Sequence, residues 1–368
     1  MKKFFNLMLI MVTIIFVGCG EGQAEVDVKP TPSVQNATPI EKPVEQKPIE
    51  DFKPVVISIA GDCTLGSFLG AEDDFEYYWQ YGADYFFKNV KPIFAADDIT
   101  FVNLEGPLTS HPQEILDKQF PIRGEPKYVE ILKAGSVEIC NLSNNHIFDC
   151  GQIGFQDTID NLKANDIKYC GEGFSDVIDV RGMKIGFLGY QGWYDTDELR
   201  EQIAADIKKL RNDMKADVVI VEFHWGVEKD YIGLEDQRTL AHATVERGAD
   251  VVVGSHAHVV QGIEIYNGKP IAYGLANFCF GANTNPSDKD TFIMQTIFDR
   301  REGKIVTTVK IIPCRISSTP DYNDFCPTPV EGYDAERVFE KLAESSKIFP
   351  HTLNFQSMLM SGGDDNGR

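Results

Sequence analysis

Short apolar runs, each ending in a cluster of polar residues, set the rhythm of the chain from residue 55 onward. The runs at 55–60, 99–102, 136–142, 217–223 and 251–254 are rich in β-branched residues and too short for helices, so they predict buried strands. Between and after them, 84–96, 127–134, 154–165, 197–215, 235–248 and 334–346 predict helices. On the first of these, Phe86, Phe87, Val90, Ile93 and Phe94 mark the inner face. Hairpins are expected across Arg181-Gly182, across Asn267-Gly268 and across 300–303. Asn-Gly is the strongest short-range signal for a tight turn between strands. Early alternation of strand and helix, followed by hairpins, predicts one mixed α/β sandwich domain over 54–350. Residues 351–368 are expected to be a disordered tail.

The polar clusters follow the strands. Val251-Val252-Val253-Gly254 runs into Ser255, His256, Ala257 and His258. In extended chain, residues two apart point the same way, so both imidazoles would face one point past the strand end. Imidazole is the commonest metal ligand, and the pair forms a chelating arm unless it is only a turn. Asp62 follows the first strand and is a candidate metal ligand or a turn aspartate. Asn103 and Glu105 share one face after the second. Asn144, Asn145, His146 and Asp149 crowd the turn after the third, and His224 follows the fourth. Four of the seven histidines sit at such ends. This is the pattern of a metal site at strand C-terminal ends. Arg123 is a candidate anion contact, since its planar fork suits carboxylate or phosphate, or else a surface ion pair. His242 on its helix is expected either to pack or to stand behind the ligands of the site.

Residues 1–53 change the picture of where the domain works. Lys2-Lys3 precedes an apolar run too short for an ordinary membrane span, and Phe16-Val17-Gly18-Cys19 ends it. Residues 1–19 therefore predict a lipoprotein-type signal peptide with Cys19 as the lipidated residue. Residues 20–53, with Pro30, Pro32, Pro39, Pro43 and Pro48 among Glu, Lys and Thr, predict an extended linker. The expected location is extracytoplasmic and membrane-anchored. Seven further cysteines, an odd number with no CxxC spacing, exclude a fully paired disulfide framework; several suit small core positions. The formal net charge of −21 excludes a nucleic-acid partner, which needs clustered Lys and Arg. An anionic ligand would be met locally, by Arg123 or bound metal.

In this order, Gly61-Asp62, Asn103 and Glu105, Arg123 to Pro126, Asn144 to Gly151, His224-Trp225-Gly226, His256 and His258, and Asn277-Phe278 resemble the bacterial capsule synthesis proteins of the CapA/PgsA type. The resemblance spans about 54–315. It implies a four-layer αββα sandwich of the metallo-dependent phosphatase type, with one or two divalent metal ions such as Mn, Fe or Zn. It assigns Asp62, Glu105, Asn145, His224, His256 and His258 as ligands, with Asp62 as a possible bridge and Glu105 in place of a bridging Asp. It makes His146 the acid that protonates a leaving group or the group that steadies the transition state, and Asn103, Asn144 and Arg123 substrate contacts. One departure stands out: the family's Asp-x-His reads Asp62-Cys63-Thr64 here, so one histidine ligand is missing.

The implied function is poly-γ-glutamate or related anionic-polymer biosynthesis or export from a lipid anchor, alongside other capsule synthesis membrane proteins. Three readings stand beside each other: a metal-dependent hydrolase-like enzyme on that polymer, an extracellular metallophosphoesterase on another substrate, and a non-catalytic accessory protein.

Overall fold

The computed structural model describes residues 53–68, 74–112 and 118–361. The signal peptide, Cys19, the linker up to residue 52 and residues 362–368 lie outside them. Alternation along the strands builds the core. Strand β1 (Val55–Thr64) is followed by β2 (Ser67–Phe68), β3 (Ile99–Leu104), β4 (Ile122–Arg123), β5 (Ile139–Asn141) and β6 (Lys168–Cys170). Then come β7 (Asp176–Val180), β8 (Met183–Gln191), β9 (Val218–His224), β10 (Val251–Ser255), β11 (Ile263–Tyr266) and β12 (Lys269–Ala272). The last are β13 (Asn277–Phe280), β14 (Asp290–Arg301), β15 (Lys304–Arg315) and β16 (Thr328–Pro329).

These strands form two large sheets. One runs β16-β15-β14-β1-β3-β5-β6, with β13 also paired to β1; the other runs β11-β12-β10-β9-β8-β7. The centre of each is parallel: β1, β3, β5 and β6 in the first, β8, β9, β10 and β12 in the second. Val55, Ile57, Ile59, Ile99, Phe101 and Ile139 of one sheet pack on Met183, Ile185, Phe187, Val218, Ile220 and Val253 of the other. Phe101 and Phe187 meet edge to face at 5.1 Å across the gap. Each such buried side chain contributes about 1.5–3 kcal/mol by leaving water.

The opposite faces carry helices. Val102, Leu104, Cys140 and Leu142 pack on Phe87 of α2 (Asp84–Phe87), Phe94 of α3 (Lys91–Phe94), Leu132 of α4 (Val129–Ala134) and Ile159 of α5 (Gly151–Ala164). Val219, Val221, Phe223 and Val252 pack on Ile203, Ile207 and Leu210 of α6 (Asp197–Asn212) and Leu240 of α7 (Glu235–Glu246). The layers are thus α, β, β, α, as the resemblance implies. Counting the short α1 (Asp74–Trp79) as the first helix, α8 (Gly332–Ser346) and α9 (Phe355–Ser361) close the chain.

Two expectations change. The helix expected over 84–96 is two helices, because Pro92 lacks the N–H that would carry the first through. The expected tail from 351 holds α9, and Leu353, Phe355 and Met358 enter the inter-sheet core; their spacing puts three apolar side chains on one side of a short segment. The seven cysteines after Cys19 are all free and buried, as core residues rather than bridges. The hairpin turns stand as expected: Arg181-Gly182 and Asn267-Gly268 both take positive φ at both residues, which matches the strand twist. Among the described residues no helix is long and apolar enough to cross a membrane.

Candidate metal centre

The inward-facing positions of the parallel strands turn from apolar to polar at their C-terminal ends. On β3 the inward line runs Ile99, Phe101, Asn103; on β5, Ile139, Asn141; on β9, Val218, Ile220, Glu222, His224; on β10, Val251, Val253, Ser255. Period two alone thus carries these polar side chains into the space between the sheets. On β1 period two would bring Gly61 inward. The register against β3 shifts between Ala60 and Asp62, and the Asp62 carboxylate reaches the centre instead. Gly61 is required there, because a Cβ would lie 1.9 Å from the Ala276 carbonyl oxygen.

Carboxamides frame the buried Asp62. Asn103 Nδ2 donates to Asp62 Oδ1 at 2.8 Å and lies 3.2 Å from His224 Nδ1. Asn103 Oδ1 accepts from Asn141 and Asn144, each at 3.2 Å. Asn144 also donates to the Leu104 carbonyl, and its own Oδ1 accepts from the His146 N–H. Asn103 and Asn144 therefore hold the scaffold together, and Asn145 Oδ1 meets His224 Nε2 at 2.8 Å.

Two groups of three donors meet at Glu105. Glu105, His224 and His256 offer ligand atoms within 4.8 Å of one another, and so do Asp62, Glu105 and His258. Glu105, not Asp62, is the shared member. Two buried atoms of the first group, Glu105 Oε1 and His256 Nδ1, have no hydrogen-bond partner. A buried acceptor left so is costly, and a cation relieves both. The donor set of imidazoles and carboxylates suits divalent Mn, Fe or Zn.

The charges of the two groups differ. Burial holds His224 well below the ordinary imidazole range and brings His256 down to about 4, so both are neutral. Burial also pushes the Glu105 carboxyl up, aided by the Asp62 charge. At Asp62 burial acts upward too, but the hydrogen bond and charge of His258, with His224 and Asn103, outweigh it and bring the carboxyl down to about 2. Burial opposes the charge on His258, yet Glu105 and Asp62 raise it to about 9. His258 Nδ1 lies 3.3 Å from Asp62 and 2.8 Å from Asn277 Oδ1.

The two histidines converge, but not through extended chain. β10 ends at Ser255, and His256 and His258 have φ of 88° and 56°. Such left-handed conformations in residues other than Gly are strained and gather at functional sites. They send the two rings into different donor groups.

His146 stands beside them on a cleft of about 610 Å³ whose lining also includes Glu105 and His258. Its Nδ1 lies 2.7 Å from Asp149 Oδ2. Lys118 Nζ donates to Asp149 Oδ1 and to the Asn145 carbonyl, both at 2.6 Å, and lies 2.8 Å from the ring. Nε2 is left as the nitrogen that can exchange a proton. Sequence reasoning missed Lys118, which sits in a loop with no pattern around it. It also missed Trp193, whose ring stands 4.7 Å from His256 and 5.8 Å from His224.

Two expected residues stand apart. Arg123 pairs with Glu125 at 2.9 Å and reaches the Ser110 carbonyl, outside the cleft lining. His242 bonds Glu264 at 2.8 Å and stacks on Tyr266, as a packing residue. Thr64, where the resemblance calls for histidine, donates its hydroxyl to Glu105 Oε2 at 2.9 Å.

Comparison with known proteins agrees with the motif order. The chain is 33% identical over 242 residues to the PGA biosynthesis protein CapA of Bacillus subtilis, covering 61% of this chain and 62% of that one, less than two thirds of its length. It is 29% identical over 317 residues to the capsule biosynthesis protein CapA of Bacillus anthracis, covering 79% of this chain and 74% of that one. Among solved structures a phosphatase of Mycoplasma pneumoniae is similar at 16% identity and a TM-score of 0.45, over 71% of this chain and 94% of that one. A likeness at that level bears on neither metal nor activity. The family described as bacterial capsule synthesis protein PGA_cap matches residues 56–282, well over half of the chain, and the chain belongs to that family.

Proposed function

We propose that this chain acts in the assembly or export of poly-γ-glutamate or a related anionic capsule polymer, through a metal-dependent hydrolytic centre. The observation that carries the reading is the pair of donor groups meeting at Glu105, with His146 beside them on the cleft. The names of the two Bacillus relatives, for capsule and PGA biosynthesis, supply the biological context. The sequence of residues 1–53 adds a lipid anchor at Cys19, an extracytoplasmic location and membrane partners in capsule synthesis.

Divalent ions bound by Asp62, Glu105, His224, His256 and His258, with Asn145, would supply Lewis acidity and offset charge on an anionic group. The chain's own residues do the rest. Asp149, held by Lys118 and by the Ile122 N–H at 2.6 Å, fixes the His146 ring. His146 Nε2 then delivers a proton to the leaving group. Asn103 and Asn144 keep Asp62 and His224 in place. Trp193 keeps water from the His224 and His256 side.

One observation favours a second reading, a non-catalytic accessory protein: Thr64 occupies a ligand position and bonds Glu105 instead of a metal. Elemental analysis separates the two. The hydrolytic reading expects about one or two bound metal ions per purified chain, lost in a His256→Ala/His258→Ala double variant. It also expects His146→Ala to keep its metal and melting temperature but lose hydrolysis of an aryl phosphate diester. A wild-type chain that holds no metal after reconstitution would exclude the hydrolytic reading and leave the accessory one.

A further inference from the structure

The cleft above the metal centre has two unlike walls. Next to the donors lies an aromatic wall: Phe280 stands 5.2 Å from His258, and Phe68 meets Phe120 edge to face at 5.5 Å. Phe120 is 50% exposed although it is a large apolar side chain on the cleft. Single exposed apolar residues are ordinary, but a set gathered around one opening marks a binding surface.

The other wall is acidic. Asp74 and Glu228 line the cleft and pair with no Lys or Arg among the described residues, although the Glu228 charge also reaches His258, whereas Asp288 is answered by Lys341 at 2.7 Å and by the Tyr231 hydroxyl at 2.9 Å. Lys229 is the lining cation, and it too makes no ion pair among the described residues. These two carboxylates have no Lys or Arg partner among the described residues, and Lys229 is the ammonium on the same lining. A chain carrying a carboxylate on every unit would bring like charges against Asp74 and Glu228 wherever it ran through the cleft. One anionic group at the metal centre, followed by an uncharged apolar group, meets no such cost and covers the phenyl rings.

We infer that the cleft takes an amphiphilic phosphoester, with one phosphoryl head at the metal centre and an apolar group on Phe68, Phe120 and Phe280, and that it excludes the body of a polycarboxylate. This rests on the metal-centre reading. It places the hydrolytic step on an apolar phosphoester that accompanies polymer assembly rather than on the polymer backbone. Atoms balance for simple hydrolysis: the water oxygen bonds phosphorus and releases one proton to solvent, the P–O bond to the apolar alcohol breaks, and His146 gives the alcohol its proton and regains one from solvent.

The test is calorimetric titration of the full manganese-loaded chain at low salt with inorganic phosphate, hexyl phosphate, hexanoate and a γ-linked glutamate hexamer. Hexyl phosphate is expected to bind at least about tenfold tighter than inorganic phosphate. That gain should shrink in Phe120→Ser, an exposed position whose change leaves the core intact. The hexamer should bind more weakly than phosphate and recover in Glu228→Gln. Hexanoate matching hexyl phosphate would overturn the choice of a phosphoryl head. Equal binding of phosphate and hexyl phosphate, or tightest binding of the hexamer, overturns the inference while leaving the metal centre intact. Phosphate that binds no better with metal than without overturns both.

Discussion

Carboxylates gather at both ends of the parallel strands, half-buried where β3 and β5 begin and fully buried where β1 and β3 end, and the two ends resolve them differently. Where β3 and β5 begin, Asp97, Asp98 and Glu138 accept local protons: Thr100 Oγ1 on Asp97 at 2.9 Å, the Thr100 N–H on Glu138 at 2.7 Å, the Val56 N–H on Asp98 at 2.9 Å. Arg181 forks onto Asp98. Burial raises Asp97 and Glu138 to about 7, so near neutral pH a proton answers the unpartnered Asp97 Oδ1. Where β1, β3, β9 and β10 end, Glu105 Oε1 likewise has no hydrogen-bond partner, but three imidazoles surround it, with His224 Nε2 at 3.5 Å. Different neighbours lead to a proton at the half-buried end and to a candidate cation site at the buried one. The unsatisfied carboxylate alone does not mark a metal centre; neutral imidazoles gathered on the same side of it do.

The sharpest way to break this contrast is Glu105→Ala. It removes the member common to both donor groups, so both should fail together. A chain saturated with metal at about 100 times the dissociation constant gains about 2.7 kcal/mol. That gain, read as the shift in thermal unfolding with and without manganese, should vanish in Glu105→Ala and only diminish in His258→Ala, which spares Glu105, His224 and His256. Equal residual metal in the two variants would mean that the groups do not share a ligand.

The other end yields a smaller effect with a definite sign. The folded-state carboxyl of Asp97 lies near 7, above an unfolded value near 3.9. Its contribution to stability is therefore fully present below about 4 and is lost as pH rises through about 7. After discounting for partial exposure, the loss is on the order of 2 kcal/mol. Urea unfolding of the metal-free chain at pH 5.5 and 8 should show a decline in wild type that flattens in Asp97→Asn. Matching slopes would mean that Asp97 is charged in the folded chain and that the two ends differ less than their neighbours imply.

Much of the metal end was legible because it follows from period two. Asn103, His224 and the strands that deliver them could be placed from alternation alone, and His256 and His258 from type and spacing. What sequence could not give is the shift of register that turns Asp62 inward past Gly61, since bulges depend on the neighbouring strand. Nor could it show that the two histidines take left-handed backbone and divide between donor groups. Arg123 failed as an anion contact because Glu125, two residues on, claims it. Lys118 and Trp193 come from loops, where no periodicity reports what a side chain will meet. At the opposite end, Asp97 and Glu138 carried no signal at all: acidic residues at strand starts read as ordinary turns.

Trp193 offers the finest probe of the metal end. Its indole N–H donates to Gln191 Oε1 at 3.1 Å, and Gln191 in turn donates to Glu172 at 2.9 Å, so the ring is held over His256 and His224. The chain has three tryptophans. Trp79 sits against Tyr128, and Trp225 is sealed between Phe223 and Tyr273 with its N–H on the Tyr273 carbonyl. Manganese bound by Glu105, His224 and His256 should therefore quench part of the emission, and Trp193→Ala should abolish that quench while the metal still binds. Without the indole roof, the same variant should lose its metal to a chelator about tenfold faster, the scale on which residues behind a metal's ligands act. A quench that survives in Trp193→Ala would put the ion nearer Trp225 than the His224 and His256 rings allow. An unchanged chelation rate would show that water reaches this half of the centre as freely as it reaches the His258 half, and the roof would then be packing alone.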